Sequence, residues 1–194
     1  MPDPTGPLKE LKIIINRVAG DKAAENIMQN SESLGKNTKP QKIALWVKDS
    51  IERMDKILSE ETRNRIMNEC GHNCAHVNSK LLNMAAKRRA KYDTFQEFIE
   101  AESKKPPKGM KVEFKDNIID FYYTPKEYGR GMRCYCGLLR SLPADQTVSN
   151  TYCNCSKGFV EAYWMKVTGK PVDVELIESA VSGSDRCRFK VKIN

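Results

Sequence analysis

The sequence predicts an α+β fold, with an N-terminal helical half packed on an antiparallel sheet that carries a C-terminal helix and a terminal β-hairpin. Three observations lead to this class. Apolar residues recur at helical spacing in the first half, as in the stripe Ile43, Val47, Ile51 and Met54. Two prolines and a glycine within residues 104–109 then end the helical pattern. Beyond this break the apolar residues alternate with polar ones, which is typical of half-buried strands.

The helical half contains recognisable helix starts. Pro7 is a favourable first-turn residue for a helix that begins the chain. Ser59 is a candidate N-cap for a helix that would turn the Cys70 and Cys74 side chains, together with Met67 and Val77, toward the core. Thr94 followed by Glu97 fits a capping box for a later helix. We therefore expect a helical region over residues 1–105 and an α+β region over 110–194, joined in one continuous folded unit.

The second half alternates in the manner of strands. Val112 and Phe114 precede the turn signal Asp116-Asn117, and the run Ile118 to Tyr123 is rich in strand-forming residues. Arg133 to Leu139 predicts a third strand, and Cys155 to Val167 predicts a helix that Gly169 ends. The segments Val172 to Leu176 and Cys187 to Ile193 predict the terminal hairpin, since apolar and charged residues alternate in both.

Composition and charge limit the class of protein. The 194 residues, 40% of them hydrophobic, are enough to bury one core. The net charge is +8, and its densest basic run is Lys87-Arg88-Arg89-Ala90-Lys91. Basic residues late in a helix are favoured by the helix dipole, so a solvated face is preferred here over nucleic-acid binding. No apolar run approaches the ~18 residues of a membrane span, and the N-terminus lacks a signal-peptide layout. We expect a cytoplasmic protein without a membrane partner.

Six of the seven cysteines form three close pairs, which points to a thiolate site that is either metal-binding or redox-active. Two of the pairs are C-x-C pairs that together supply four thiolates, a number that suits tetrahedral zinc or an iron–sulfur cluster. The predicted metal ligands are Cys134, Cys136, Cys153 and Cys155, with Cys70 and Cys74 as further candidates. For the helical pair alone, a role as small buried hydrophobes is the simpler interpretation.

Cys155 is also the candidate nucleophile. The predicted helix begins at this residue, and Lys157 follows two residues later. A helix N-terminus and a nearby cation both lower a thiol pKa and favour the reactive thiolate. No Ser-His-Asp order, G-x-S-x-G motif or phosphate-binding glycine loop accompanies it, so the other catalytic groups are unknown.

The last third of the chain ends its elements at characteristic residues. A helix closes at Gly169, a strand follows, a turn contains Gly183, and the final strand opens with Cys187-x-Phe189. In these features residues 110–194 resemble the 4-vinyl-reductase-type small-molecule-binding domain, and they are similar to the L-2-amino-thiazoline-4-carboxylate hydrolase-like proteins. The helical half shares only the general layout and the Cys-Gly-x-x-Cys-Ala run at 70–75. The resemblance implies a small-molecule pocket between sheet and helices, often beside a cysteine-bound metal.

Three functions are expected from these features. The first is a cytoplasmic small-molecule-binding or sensor protein with a thiolate site beside its pocket. The pocket lining would come from the inward residues Phe121, Tyr123, Phe159, Tyr163, Val174, Leu176, Cys187 and Phe189. The second is a hydrolase of a small heterocyclic or amide substrate that uses a metal with an open position or a thiol nucleophile. The third is an iron–sulfur redox protein. The helical half could also form a homodimer, although packing among its own helices is the simpler explanation of its apolar stripes.

Overall fold

The computed structural model describes residues 4–129 and 131–194, and the predicted fold class is confirmed. The elements in chain order are α1 (Thr5–Ala19), α2 (Asp21–Ile27), α3 (Pro40–Ile57), α4 (Glu60–Val77), α5 (Ser79–Arg89), α6 (Phe95–Lys104), β1 (Met110–Lys115), β2 (Ile118–Tyr123), α7 (Pro125–Tyr128), α8 (Asn150–Thr168), β3 (Val172–Glu178) and β4 (Cys187–Ile193). No helix in this described part of the chain is both long and apolar enough to cross a membrane.

The four strands form one antiparallel sheet in the order β1-β2-β4-β3. Asp116 and Asn117 join β1 to β2 with φ angles of 52° and 61°, as a two-residue hairpin with a primed turn requires. Because side chains alternate along each strand, Phe121 and Phe189 pair across the inner face and are fully buried. The outer face carries mostly charged residues.

Helix α8 is the central element of the molecule. On one side it packs against α4, and on the other it packs against the inner face of the sheet. Val160, Tyr163 and Trp164 of α8 belong to the core that includes the sheet. Tyr152 and Cys153, at the beginning of the same helix, belong to a second core with α1, α3 and residues 134–148. One helix therefore connects both cores.

The predicted helix caps at Ser59 and Thr94 are present. Ser59 Oγ accepts a hydrogen bond from the Thr62 backbone N–H at 3.3 Å. Thr94 and Glu97 form a complete capping box, in which each side chain accepts from the other residue's backbone N–H. Such caps satisfy backbone donors that the first helical turn would otherwise leave without a partner.

One predicted strand, one predicted helix start and part of the predicted core face of α4 are wrong. Arg133 to Leu139 forms turns and not a strand, since the Arg133 N–H donates to the Arg140 carbonyl and the Arg133 guanidinium donates to the carbonyls of Pro143 and Gln146. These hydrogen bonds close the segment on itself. Helix α8 starts at Asn150, with Ser149 as its extended N-cap residue, and not at Cys155. Two side chains that were predicted to face the core are exposed, because both lie in the last turn of α4: Val77, at 81%, and Cys74.

Candidate functional site: thiols at the α4–α8 crossing

Helices α4 and α8 touch backbone to backbone, and two glycines make this possible. A Cβ atom at Gly71 would overlap the carbonyl oxygen of Cys155 and would lie 2.8 Å from the Phe159 nitrogen. A Cβ atom at Gly158 would overlap the carbonyl oxygen of Asn68. Real Cβ atoms do not approach backbone this closely, so each helix needs a glycine at its point of contact. The crossing places the α4 cysteines beside the first turns of α8.

Four cysteines from three segments lie near this crossing: Cys70 and Cys74 on α4, Cys155 on α8, and Cys136 in the turn before α8. Burial, followed by the charge of a Cys136 thiolate, raises the pKa of Cys74 and holds that of Cys155 well above its usual range. The pKa of Cys70 is raised mainly by burial, and the charges of Cys74 and Cys136 also raise it. Cys70, Cys136 and Cys155 all pack at the edge of the core that contains α1 and α3. We call these three residues and Cys74 the crossing thiols.

Cys136 is held in place by hydrogen bonds. The Tyr152 hydroxyl donates to Cys136 Sγ at 3.1 Å from the buried first turn of α8. The Cys136 backbone N–H donates to Cys134 Sγ at 3.4 Å. The nearby residues Leu139 and Leu142 are buried in the core with α1 and α3, and this packing secures the turn. Sulfur is a weak acceptor, so the contacts fix the position of Cys136 more than they stabilise the fold.

The remaining thiols face away from the crossing. Cys153 Sγ lies 2.8 Å from Ser179 Oγ, and Cys187 Sγ accepts from the Ala180 N–H at 3.4 Å. Residues two apart on a helix point in nearly opposite directions, so Cys153 and Cys155 cannot share one ligand. Burial raises the pKa of Cys134 well above its ordinary value, and the charges of Cys136, Cys153 and Cys187 raise it further.

The pKa values of Cys70, Cys74, Cys134, Cys153, Cys155 and Cys187 are all raised, and burial is the first cause of each shift. The pKa of Cys70 and of Cys153 rises to about 12, and the pKa of Cys134 and of Cys155 rises well above the ordinary value. All seven cysteines are free. Cys155 lies in the second turn of α8, where the helix N-terminus no longer lowers its pKa. The expectation of a pre-formed Cys155 thiolate is therefore wrong, and a nucleophilic role for Cys155 stays a prediction.

The predictions of zinc and of an iron–sulfur cluster are wrong. Within residues 4–129 and 131–194, no three His, Cys, Asp or Glu side chains are grouped so that they could hold a metal ion. One physical reason is that the second C-x-C pair diverges. Cys153 Sγ lies beside Ser179 Oγ, and Cys155, two residues further along the same helix, points in nearly the opposite direction. The hypothesis of a metal-dependent hydrolase depended on this metal site and is therefore no longer supported.

The predicted pocket residues lie in the aromatic core between α8 and the sheet. Phe121 stacks on Tyr163 with 5.8 Å between ring centroids and meets Trp164 edge-on at 5.5 Å. The Tyr123 ring meets the Phe189 ring edge-on, and Phe159 packs at the margin of this core. Two cavities of 390 Å³ and 500 Å³ lie at the surface, and none of the predicted lining residues borders either of them. The assignment of these residues to a ligand pocket stays a prediction.

Cys74 should be the crossing thiol that alkylating reagents reach first, because it is exposed whereas the other three are partly covered. Only the thiolate reacts, and burial raises the pKa of Cys74 above its ordinary value of 9.0. We therefore expect the rate of iodoacetamide labelling to keep rising above pH 9, where the rate for an unfolded cysteine peptide levels off. Mass spectrometry of the labelled peptide measures this profile. If the labelling rate levels off at the same pH in the folded protein and in the peptide, the prediction of a raised Cys74 pKa is contradicted.

Residues 8–194 match the family of unknown function DUF6144. The chain belongs to this family. No curated protein matches the chain. The resemblance to the 4-vinyl-reductase-type domain is therefore wrong, and so is the thiazoline-hydrolase likeness, because the matching family spans almost the whole chain and is a different one. The shared glycine and C-x-F features follow from the helix end, the turn and the strand alternation, which many α+β proteins have in common.

Among solved structures, the chain is similar to H-NOX proteins. One is the H-NOX protein from S. oneidensis in the Fe(II)NO ligation state, at 10% identity and TM-score 0.45, covering 97% of this chain and 98% of that one. Another is a mutant of the T. tengcongensis H-NOX, at 13% identity and TM-score 0.47, covering 98% and 96%. At these values the similarity carries no argument about what this chain binds.

Proposed function

We propose that this protein is a cytoplasmic small-molecule sensor that responds to low-molecular-weight disulfides through the crossing thiols. One observation carries the proposal: cysteines from three separate segments lie near a tight helix crossing, and one of them, Cys74, is open to solvent.

The proposed chemistry is a two-step thiol–disulfide exchange. Cys74 loses its proton to water, and its sulfur attacks one sulfur of the small disulfide; a mixed disulfide forms and one small thiol leaves. Cys136, whose charge acts on Cys74 most strongly among its neighbours, then attacks the Cys74 sulfur. This step forms the Cys74–Cys136 bond and releases the second small thiol. Two protein thiols are oxidised and one small disulfide is reduced, so the electrons balance.

The consequence of that bond follows from the fold. Cys74 lies in the last turn of α4, and Cys136 belongs to the turn that Arg133 and Tyr152 hold against α8. A covalent link would tie the end of α4, and the start of α5 after it, to this turn. Because α4 already touches α8 through Gly71, the link has little slack, and oxidation should shift the α4–α5 junction. That junction is the proposed output of the sensor.

The test is oxidation with 2-hydroxyethyl disulfide followed by peptide mapping. We expect a Cys74–Cys136 disulfide in the native chain and no reaction at this site in Cys74→Ser. Cys136→Ser should stop at the mixed disulfide and retain one hydroxyethylthio group on Cys74. Cys187→Ser is the matched control, since this thiol faces Ala180 and should not affect the outcome. An unreacted Cys74, or a mixed disulfide that persists in the native chain, would contradict the proposal.

A homodimer formed through the helical half stays a prediction. Exposed apolar side chains such as Leu81 and Met84 on α5 are compatible with it. Light scattering on the reduced and on the oxidised protein measures the oligomeric state, and a change between the two would link assembly to the crossing thiols.

A further inference from the structure

A cavity of 500 Å³ lies on the side of the sheet that faces away from α8, where the outer face meets α7 and the turn before β4. Its lining consists of Lys111, Tyr122, Thr124, Lys126, Glu127, Asp185 and Arg186. The volume is within the ~300–1,000 Å³ of small-molecule sites. No cysteine borders this cavity, so a ligand bound in it would be independent of the function proposed for the crossing thiols.

The hydroxyl of Thr124 is the first sign of a ligand. The Thr124 N–H donates to the Gly109 carbonyl at 2.9 Å, and its carbonyl accepts from Glu127 and Tyr128 at the start of α7. Its Oγ1 atom is buried and has no hydrogen-bond partner in the described part of the chain. A threonine before a helix usually accepts a backbone N–H through this atom, and Thr124 does not. Buried hydroxyls without partners are rare, and Thr124 is one of the residues that line the cavity.

Three cations surround the same space. Arg186 lies over the Tyr122 ring at 4.7 Å and Lys111 lies over it at 5.5 Å, while Lys126 comes from α7. Tyr122 is almost fully buried beneath them. A guanidinium stacked on an aromatic face is oriented but keeps its N–H groups free for a planar oxyanion.

The carboxylates at the cavity are loosely held. Asp185 pairs with Lys126 at 2.9 Å, yet the Asp185 side chain is 97% exposed, and exposed ion pairs are weak. Arg186 reaches Glu178 only at 3.6 Å. Glu127 lines the cavity, and Glu113 holds Lys111 from outside it. Asp185 thus occupies a position that the carboxylate of a ligand could take over by exchange, whereas Arg186 and Thr124 have hydrogen-bonding capacity that remains unused.

We propose that this cavity binds a small organic molecule through an oxyanion group, which Arg186 and Lys126 contact and to which Thr124 donates a hydrogen bond. The oxyanion is a carboxylate or a phosphate, since both present paired oxygens to a guanidinium. Tyr122 orients Arg186, and Asp185 is the internal competitor that the ligand displaces.

Isothermal titration of the full chain with inorganic phosphate and with succinate tests the site. We expect saturable binding of at least one probe, and the one that binds identifies the kind of oxyanion. Arg186→Gln and Lys126→Gln should each weaken it about tenfold, as lost charged hydrogen bonds do. Asp185→Asn should strengthen it, because the competitor loses its charge. Lys190→Gln, on the same sheet face but outside the cavity, is the matched control and should change affinity less than about twofold.

Thr124→Val separates ligand binding from a structural role. Valine keeps the shape of threonine without its hydroxyl, so binding should weaken while the melting temperature stays equal or rises. A lower melting temperature would show that the hydroxyl is already satisfied, and would overturn the argument from Thr124. Failure of both probes to saturate, or weaker binding in Asp185→Asn, would overturn the site itself.

Discussion

Alanine at Gly71 or at Gly158 is expected to destabilise the protein by ~3 kcal/mol or more. At both positions the added Cβ meets a backbone carbonyl of the opposite helix, which cannot rotate away as a side chain can. The helices must then separate, and the contacts along α4 and α8 are lost together. Urea denaturation of each variant measures the free energy of unfolding.

Gly6→Ala is the matched control for this prediction. Gly6 also lies in a helix, but a Cβ there meets nothing within 4 Å. The Gly6→Ala substitution should lower the free energy of unfolding by no more than about 0.5 kcal/mol, or raise it slightly, since alanine restricts the unfolded chain. If a glycine variant of the crossing still folds, Cys70 and Cys155 should become easier to alkylate, because their cover is the crossing itself. If Gly71→Ala has the same free energy of unfolding as the native chain, the close contact of the two helices is contradicted.

The fold was predictable where local signals determine it. The caps at Ser59 and Thr94 and the hairpin turn at Asp116-Asn117 depend on residues a few positions apart, and the alternation from Cys187 to Ile193 determines which face of β4 is buried. Such signals can be recognised in a single sequence because their physical cause lies within one turn or one strand.

The site was less predictable because it depends on contacts between distant segments. The predicted start of α8 lay at Cys155, so the five residues before it were not recognised as helical and the divergence of Cys153 from Cys155 was missed. The C-x-C spacing suggested a metal only while both sulfurs were free to converge. Gly71 and Gly158 are isolated glycines inside helical patterns, a signal of close packing that could have located the crossing.

The aromatic core gives the second large effect. Phe121→Ala is expected to cost ~3–5 kcal/mol, since the ring is fully buried among Tyr123, Tyr163 and Trp164. The cavity would lie against α8, which cannot collapse onto it while α4 holds the other side of the helix. Trp164 reports on this core. Its Nε1 atom is buried without a partner in the described part of the chain, whereas the Trp46 Nε1 donates to the Gln29 carbonyl.

A Trp46→Phe background isolates the Trp164 fluorescence, because the chain has two tryptophans. In this background Phe121→Ala should lower the urea midpoint of the Trp164 transition strongly, and Phe95→Ala, a half-buried ring at the margin of the same core, should lower it less than half as far. The comparison also tests the ligand-pocket prediction. A residue that lines a ligand pocket leaves one side of its ring unpacked, so its removal costs little stability. A small loss for Phe121→Ala would therefore favour a pocket at this position, whereas the expected large loss assigns Phe121 to the core that holds α8 on the sheet.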